Sequence, residues 1–281
     1  MKTIKKVLKI LGILLLLLVV GMYILFVTMT SPKSDEDVIE SFKEAPVKPI
    51  LEHKTYKNFS YRVLSIISDS NLPTLIFVHG TIGSCMDFSR YMMDKDLVKK
   101  YNMVSYDRIG YNYKDKNPVQ ESIAFERDLL DNLISETMSD SIILAGYSYG
   151  GPITLASKKK IANLVLLAPA VYSKVEPMPW MLNFYKWKLT RWLVPDIWKE
   201  ASKEKMSHQK DLMNFESNWK VNPNNIISIH GDADWIVPYS NSEYLLNHFP
   251  KEQFQLITLK DAGHDLIWSQ FSNIKQQLLN L

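Results

Sequence analysis

Ser148 stands between two glycines in Gly146-Tyr147-Ser148-Tyr149-Gly150, directly after the apolar run Ile142–Ala145. A serine hydroxyl is a weak nucleophile until a base takes its proton. Glycines on either side remove the Cβ atoms that would clash if a strand turned sharply into a helix at the serine. Such a turn lifts the hydroxyl above a sheet, beside the positive end of a helix. The chemistry on offer is attack by Ser148 on a carbonyl carbon.

The base is sought among six histidines. His53 in an early strand region, His208 in a lysine-rich stretch and His248 before Pro250 read as surface or half-buried residues. His79 and His230 each precede a glycine at a strand end, where turning of the backbone is reason enough for them. His264 follows Asp261-Ala262-Gly263, after the last predicted strand and before the last helix, and it alone gives the chain order Ser, Asp, His. An acid must fix the tautomer of that histidine. Gly231-Asp232-Ala233-Asp234 follows a predicted strand and supplies two candidates. Asp232, next to the glycine, suits bracing of the turn. Asp234 lies further out and is preferred. Asp265 suits the start of a helix. An oxyanion needs two N–H donors: one from Tyr149, after the nucleophile, and one from the loop His79-Gly80-Thr81, with Thr81 the expected donor.

These residues need a sheet to carry them. Leu75–Val78, Met103–Tyr106, Ile142–Ala145, Leu164–Ala168, Ile226–Ile229 and Phe254–Leu259 are short apolar runs bounded by turn residues, which read as strands buried on both faces of a mostly parallel sheet. Helical patterns lie between them at Ile123–Met138, Ser242–Phe249 and Leu266–Leu279. In the first, Ile123, Phe125, Leu129, Leu130, Leu133 and Ile134 are expected to face inward, and Glu126, Arg127, Asp128 and Asp131 outward. Residues 53–67 suit leading antiparallel strands. The expected class is α/β, with helices on both faces of the sheet. Residues 171–224 break the rhythm, carry five of the seven tryptophans and read as a helical insertion.

Residues 10–30 contain no charged side chain and, as a helix, would span roughly 30 Å, the thickness of a bilayer core. An uncleaved anchor is preferred over a cleaved signal peptide followed by secretion, because the run is long and Thr28-Met29-Thr30-Ser31 is a poor cleavage site. Lys2, Lys5, Lys6 and Lys9 precede it and Asp35, Glu36, Asp37 and Glu40 follow, which places residues 1–9 in the cytoplasm and the body outside. Without those four lysines the formal net charge of +3 falls to −1, so a nucleic-acid partner is not expected. Residues 31–50, with three prolines, read as a linker to a single domain at 51–281. Cys85 is the only cysteine, so no internal disulfide forms. No metal or cofactor motif is evident.

Taken together, His79-Gly80, Asp107-Arg108-Ile109-Gly110, Gly146 to Gly150, Gly231 to Asp234 and Gly263-His264 resemble, in this order, the α/β-hydrolase superfamily, in its branch with a short His-Gly-x oxyanion loop. The likeness runs from about Tyr61 to the C-terminus. It implies an eight-stranded core with a helical cap at about 171–224, and it adds to the preference for Asp234. The chain departs from the pattern after Gly110, where Tyr111-Asn112-Tyr113-Lys114 stands in place of a small residue and a serine. A serine nucleophile argues against relatives that use aspartate, the epoxide hydrolases and haloalkane dehalogenases.

The function expected is hydrolysis of an ester-like acyl bond through an acyl-serine, as in a carboxylesterase or lipase, on a small acyl substrate. Two alternatives stand beside it. An aminopeptidase-type serine peptidase would need a cap carboxylate for a free amine, with Glu176, Glu200, Glu204 and Glu216 available. A non-catalytic membrane-bound binding protein is the other. The insertion's tryptophans, with Met178, Met181, Met206 and Met213, would line a lipophilic pocket, lie against a membrane interface, or simply pack the cap onto the core.

Overall fold

A computed structural model describes residues 2–112 and 117–281. Tyr113 and Lys114, part of the departure after Gly110, lie outside the described residues. One sheet of eight strands organises the chain: β1 (Ile50–Tyr56), β2 (Phe59–Ile66), β3 (Thr74–Val78), β4 (Asn102–Tyr106), β5 (Ile142–Tyr147), β6 (Asn163–Leu167), β7 (Asn225–Gly231) and β8 (Phe254–Leu259). The spatial order is β1-β2-β4-β3-β5-β6-β7-β8. β2 pairs antiparallel with both neighbours, and the pairs from β4 to β8 are parallel. All six apolar runs are strands, and the 53–67 region is the leading hairpin.

Alternation along the strands feeds two cores. Ile76 and Val78 of β3 face one side with Leu144 and Leu164, and Leu75 and Phe77 face the other with Ile143 and Val165. Burial on both faces is the reason these strands are continuously apolar. The helices are α1 (Lys2–Thr30), α2 (Asp35–Ser41), α3 (Ser89–Met92), α4 (Lys95–Lys100), α5 (Ile123–Glu136), α6 (Gly150–Leu155), α7 (Leu182–Lys186), α8 (Asp196–Leu212), α9 (Ser240–Leu246), α10 (Leu266–Ser269) and α11 (Phe271–Leu279). The last helical pattern is thus two helices, broken at Gln270. Residues 171–224 hold α7, α8 and short 3₁₀ turns between β6 and β7.

Two expectations need correction. Glu126 is buried, not outward, because it lies three residues after Ile123 and four before Leu130, on the same helical stripe. The 31–50 segment is no free linker. α2 begins with a capping box in which Ser34 and Asp37 satisfy each other's backbone N–H groups. Its Val38, with Phe42 just beyond, is buried in the core. The fully buried Arg62 donates to the Lys33 carbonyl at 2.9 Å, to Asp35 at 3.1 Å and to Asp107 at 2.8 Å. The start of α2, a few residues beyond α1, is therefore fastened to the sheet by Arg62. α1 itself, alone among the described helices, is long and apolar enough to cross a membrane, and none of its apolar window is covered by the body.

Candidate active site

β5 ends at Tyr147 and α6 starts at Gly150, so Ser148 occupies the turn. Its φ is +53°, a left-handed conformation that costs a non-glycine residue energy and persists only where the surroundings impose it. They do so with three backbone bonds: Ser148 N–H donates to the Leu167 carbonyl at 2.9 Å, and the Ser148 carbonyl accepts from Gly151 at 3.0 Å and Ala170 at 3.1 Å. Tight turning leaves no room at Gly150, where a Cβ would lie 2.2 Å from the Val78 carbonyl oxygen. The loop after β3 comes equally close, and a Cβ on Gly80 would stand 2.8 Å from Ser148 Cβ.

His264 Nε2 lies 3.0 Å from Ser148 Oγ, and Nδ1 lies 2.7 Å from Asp234 Oδ2. Two residues 116 positions apart are thus joined through the loops after β5 and β8. Tyr147 holds the histidine from below: its hydroxyl donates to the His264 carbonyl at 2.7 Å and its ring stacks on the imidazole at 5.1 Å. Asp234 Oδ1 accepts the N–H groups of Ile236 and Val237 at 2.9 and 2.8 Å. Burial opposes its charge, but hydrogen bonds from His230 and His264 outweigh it and hold the carboxyl well below the usual range. With Oδ1 occupied by N–H donors and Oδ2 ionised, the carboxylate can accept a hydrogen bond from His264 Nδ1–H, an arrangement that would leave Nε2 free to take the serine's proton.

The other candidates are placed elsewhere. Asp232 is exposed and accepts the Asp261 N–H at 2.7 Å, bracing the turn before Gly263. Asp265 is exposed and makes no side-chain cap. His230 shares the acid loop, with Nδ1 2.7 Å from Ser242 Oγ and Nε2 donating to the Val237 carbonyl at 3.0 Å. Its Nε2 is also 3.4 Å from Asp234 Oδ2, so it holds the acid in place. His79 bridges the oxyanion loop to β4: Nδ1–H donates to the Gly80 carbonyl at 2.8 Å and Nε2 accepts the Arg108 N–H at 3.0 Å. Burial, then the Arg108 charge, lower its pKa and keep it neutral.

His208 is not at the surface. It is buried against Tyr149, with ring centroids 4.3 Å apart, and donates to the Ala170 carbonyl at 3.1 Å. Burial and the Lys205 charge lower its pKa to about 3, so it too stays neutral.

Sequence reasoning did not find the polar clamp beneath the insertion. Glu204 of α8 is buried and accepts two bonds from Arg108, at 2.7 and 2.9 Å. It also accepts from Thr81 Oγ1 and Tyr111 Oη, each at 2.6 Å. Arg108 donates further to the Gly80 carbonyl at 3.0 Å and lies between the rings of Tyr149 and Tyr111, 4.7 and 4.8 Å from their centroids. One carboxylate of the insertion therefore pins the Gly80–Thr81 loop and, through Arg108, the residue after the serine. Tyr149 and Thr81 are the two residues whose N–H groups were assigned to an oxyanion. A bidentate arginine at the centre was signalled only by Asp107-Arg108, with no local pattern pointing to position 204.

A family model described as alpha/beta hydrolase fold matches residues 73–224. That is more than half of the chain, and the chain belongs to this family. Esterase YbfF of Escherichia coli (strain K12) is 28% identical over 108 residues, which are 36% of this chain and 41% of that protein. The chain thus matches about two fifths of the length of this curated relative. Among solved structures, an esterase (EaEST) from Exiguobacterium antarcticum superposes with a TM-score of 0.65 at 15% identity, covering 81% of this chain and 97% of that one. Carboxylesterase CesB (YbfK) from Bacillus subtilis does so with 0.61 at 16%, covering 85% and 93%. At such identities the likeness is one of fold.

Proposed function

We propose that the chain is a serine hydrolase that cleaves a carboxylic ester through an acyl-serine. The observation that carries this is the unbroken path from Ser148 Oγ to His264 Nε2 at 3.0 Å and from His264 Nδ1 to Asp234 at 2.7 Å, set on a strained turn. As Oγ attacks the ester carbonyl, its proton passes to Nε2. Charge develops on the carbonyl oxygen, and the N–H groups of Tyr149 and Thr81 are the donors assigned to it. The imidazolium then protonates the leaving alcohol. A water that loses its proton to Nε2 attacks the acyl carbonyl, the imidazolium returns that proton to Ser148 Oγ as the acyl–oxygen bond breaks, and the free acid leaves.

Engagement of the cap carboxylates supports an ester over the peptidase reading. Glu204 is tied to Arg108. Glu176 pairs with Lys205. Glu200 pairs with Lys203 at 2.5 Å and accepts the Val119 N–H at 2.9 Å. Glu216 accepts the Ser173 N–H at 2.9 Å. Each has a partner, and Glu176 alone of the four keeps a buried oxygen, Oε2, without a hydrogen bond among the described residues. The esterase names among the relatives favour the same choice. The small-molecule acyl substrate would be delivered to a body tethered outside the cytoplasm by α1, whose orientation follows from the flanking charges.

A panel of aryl esters and aminoacyl amides, offered to the full chain in detergent, separates the readings. Turnover of esters alone is expected; preferential turnover of the amides would make the protein a peptidase.

A further inference from the structure

The insertion's tryptophans fall into two groups. Trp219 is buried and donates to the Val171 carbonyl at 3.0 Å, so it packs the insertion onto the core. Trp180, Trp187, Leu189 and Trp192 are more than half exposed, and Leu189 is 84% exposed. Met181 and Phe184 extend the same apolar surface. Large exposed rings gathered in one segment mark a surface that meets a partner, since a monomer in water rarely leaves such a patch open.

Three further observations say which partner. First, several polar side chains of the segment are satisfied by its own carbonyls. Trp192 Nε1 donates to the Leu189 carbonyl at 2.9 Å, Thr190 Oγ1 to the Phe184 carbonyl at 2.8 Å, and Arg191 to the carbonyls of Tyr185 and Lys186 at 2.6 and 3.1 Å. Bonded in this way, Thr190 and Trp192 demand less water, which favours entry into a lipid boundary, and the exposed Arg191 keeps its charge at the surface. Second, from Met178 to Val194 there is no acidic residue, while Lys186, Lys188 and Arg191 are present and exposed. Basic residues among aromatic rings suit the anionic boundary of a bilayer. Third, the start of α8, which follows the segment directly, meets α1. Trp198, six residues after Trp192, meets the Phe26 ring of α1 at 5.3 Å. Ile197 shares a cavity of about 330 Å³ with Met29–Lys33 and the Ile82–Ser84 end of the oxyanion loop. Phe26 lies four residues before the end of α1, which is about 6 Å inside the helix end at ~1.5 Å per residue. Interfacial elements sit at ~5–10 Å depth, so Trp198 is at that level when α1 spans the bilayer.

We propose that residues 178–193 form a second membrane contact, lying in the headgroup–acyl boundary of the leaflet from which α1 emerges. The exposed rings enter the acyl chains, and Lys186 and Lys188 meet anionic headgroups. This rests on the reading of α1 as a membrane anchor, and it sets the mouth beside the oxyanion loop against lipid.

The test uses the full chain reconstituted in vesicles of phosphatidylcholine and phosphatidylglycerol. An environment-sensitive fluorophore is placed at Trp187→Cys, Trp192→Cys and, as control, Met138→Cys, with wild type giving the background from the buried Cys85. Met138 is 94% exposed and precedes β5, at the sheet edge opposite Ser148. Emission at 187 and 192 is expected to shift to the blue and to be quenched by shallow nitroxide-labelled lipid, with no change at 138. Lys186→Gln with Lys188→Gln, or vesicles of phosphatidylcholine alone, should reduce the quenching. Protein that floats with the vesicles yet shows water-like, unquenched emission at both sites overturns the contact and leaves the anchor standing. A blue shift that follows protein density and not nitroxide lipid also overturns it, in favour of a second copy of this chain. A chain that does not float overturns anchor and contact together. Turnover of a short soluble ester in the same samples reports the Ser148 site independently of all three.

Discussion

Residues 178–193 and the helix that follows them, α8, belong to one insertion and distribute polarity in opposite ways. The first stretch turns tryptophan and leucine outward. α8 turns Glu204 and His208 inward, where Arg108, Thr81, Tyr111 and the Ala170 carbonyl receive them. Burying a carboxylate is favourable only when its partners replace water, and four donor groups do so here. Exposing rings is tolerable only when something other than water covers them. One half of the insertion thus grips the loops around Ser148, the other is the half proposed to meet a membrane, and the two can be perturbed separately.

Removal of Glu204 should have the largest effect on that comparison. Glu204→Ala removes the bidentate partner of Arg108 and leaves it only the longer contact to Glu126 at 4.0 Å, and a loss of about 3–5 kcal/mol in stability is expected from denaturant unfolding. Glu204→Gln keeps the size and some hydrogen bonds and should lose less stability. Ester turnover should still fall in it, since the Gly80–Thr81 loop is held by that carboxylate. Full turnover in a folded Glu204→Gln would separate the clamp from catalysis.

Glu126 offers a second perturbation of the same buried cluster. Burial raises its pKa to about 8, with Arg108 opposing the rise and Glu204 adding to it. Its folded pKa exceeds the unfolded value near 4.5, so the folded state binds the extra proton between these limits. The stability this contributes is complete below pH 4.5 and is lost as pH rises through about 8. Thermal unfolding of wild type should therefore fall from pH 5 to pH 8 more steeply than that of Glu126→Gln. Equal slopes would mean that Arg108 keeps Glu126 ionised throughout.

The outward half should respond least. Trp187→Ser and Trp192→Ser are expected to change stability by within about 0.5 kcal/mol, as surface positions do. Turnover of a short soluble ester should be unaltered. A large loss of stability in either would show that these rings pack within the protein.

Legibility in the sequence followed the same division. Central strands buried on both faces declare themselves as unbroken apolar runs; β8 was read with them, although it lies at the sheet edge with Gln255 and Thr258 exposed. The turn at Ser148 and the loop carrying His264, which the structure brings within 3.0 Å of each other, could be read because glycines beside them meet local backbone demands. Glu126 was read outward because charge outweighed phase, although Ile123 and Leu130 frame it on one stripe. His208 was read as surface for its lysine neighbours, yet Lys205 points elsewhere, to Glu176. The clamp from position 108 to 204 and the Arg62 bridge to Asp35 and Asp107 are long-range ion pairs, for which no spacing rule exists. Docking of α2 was hidden for the same reason: three prolines and a run of acids look like a spacer until Arg62 is found beneath them.

Within the acid loop the contrast is between Asp232 and Asp234. Asp234→Asn should reduce kcat by about 10⁴, as expected when the histidine loses the partner that fixes its tautomer. Asp232→Asn should leave most activity, since its side chain accepts the Asp261 N–H in the turn and makes no hydrogen bond to His264. The reverse result would reassign the acid.

Labelling by a fluorophosphonate, followed by intact mass and peptide mapping, tests the central claim most directly. The account predicts one adduct per chain on Ser148, sharply slower labelling in His264→Ala, and none in Ser148→Ala. Equal labelling of wild type and Ser148→Ala, or none in either folded protein, would contradict it.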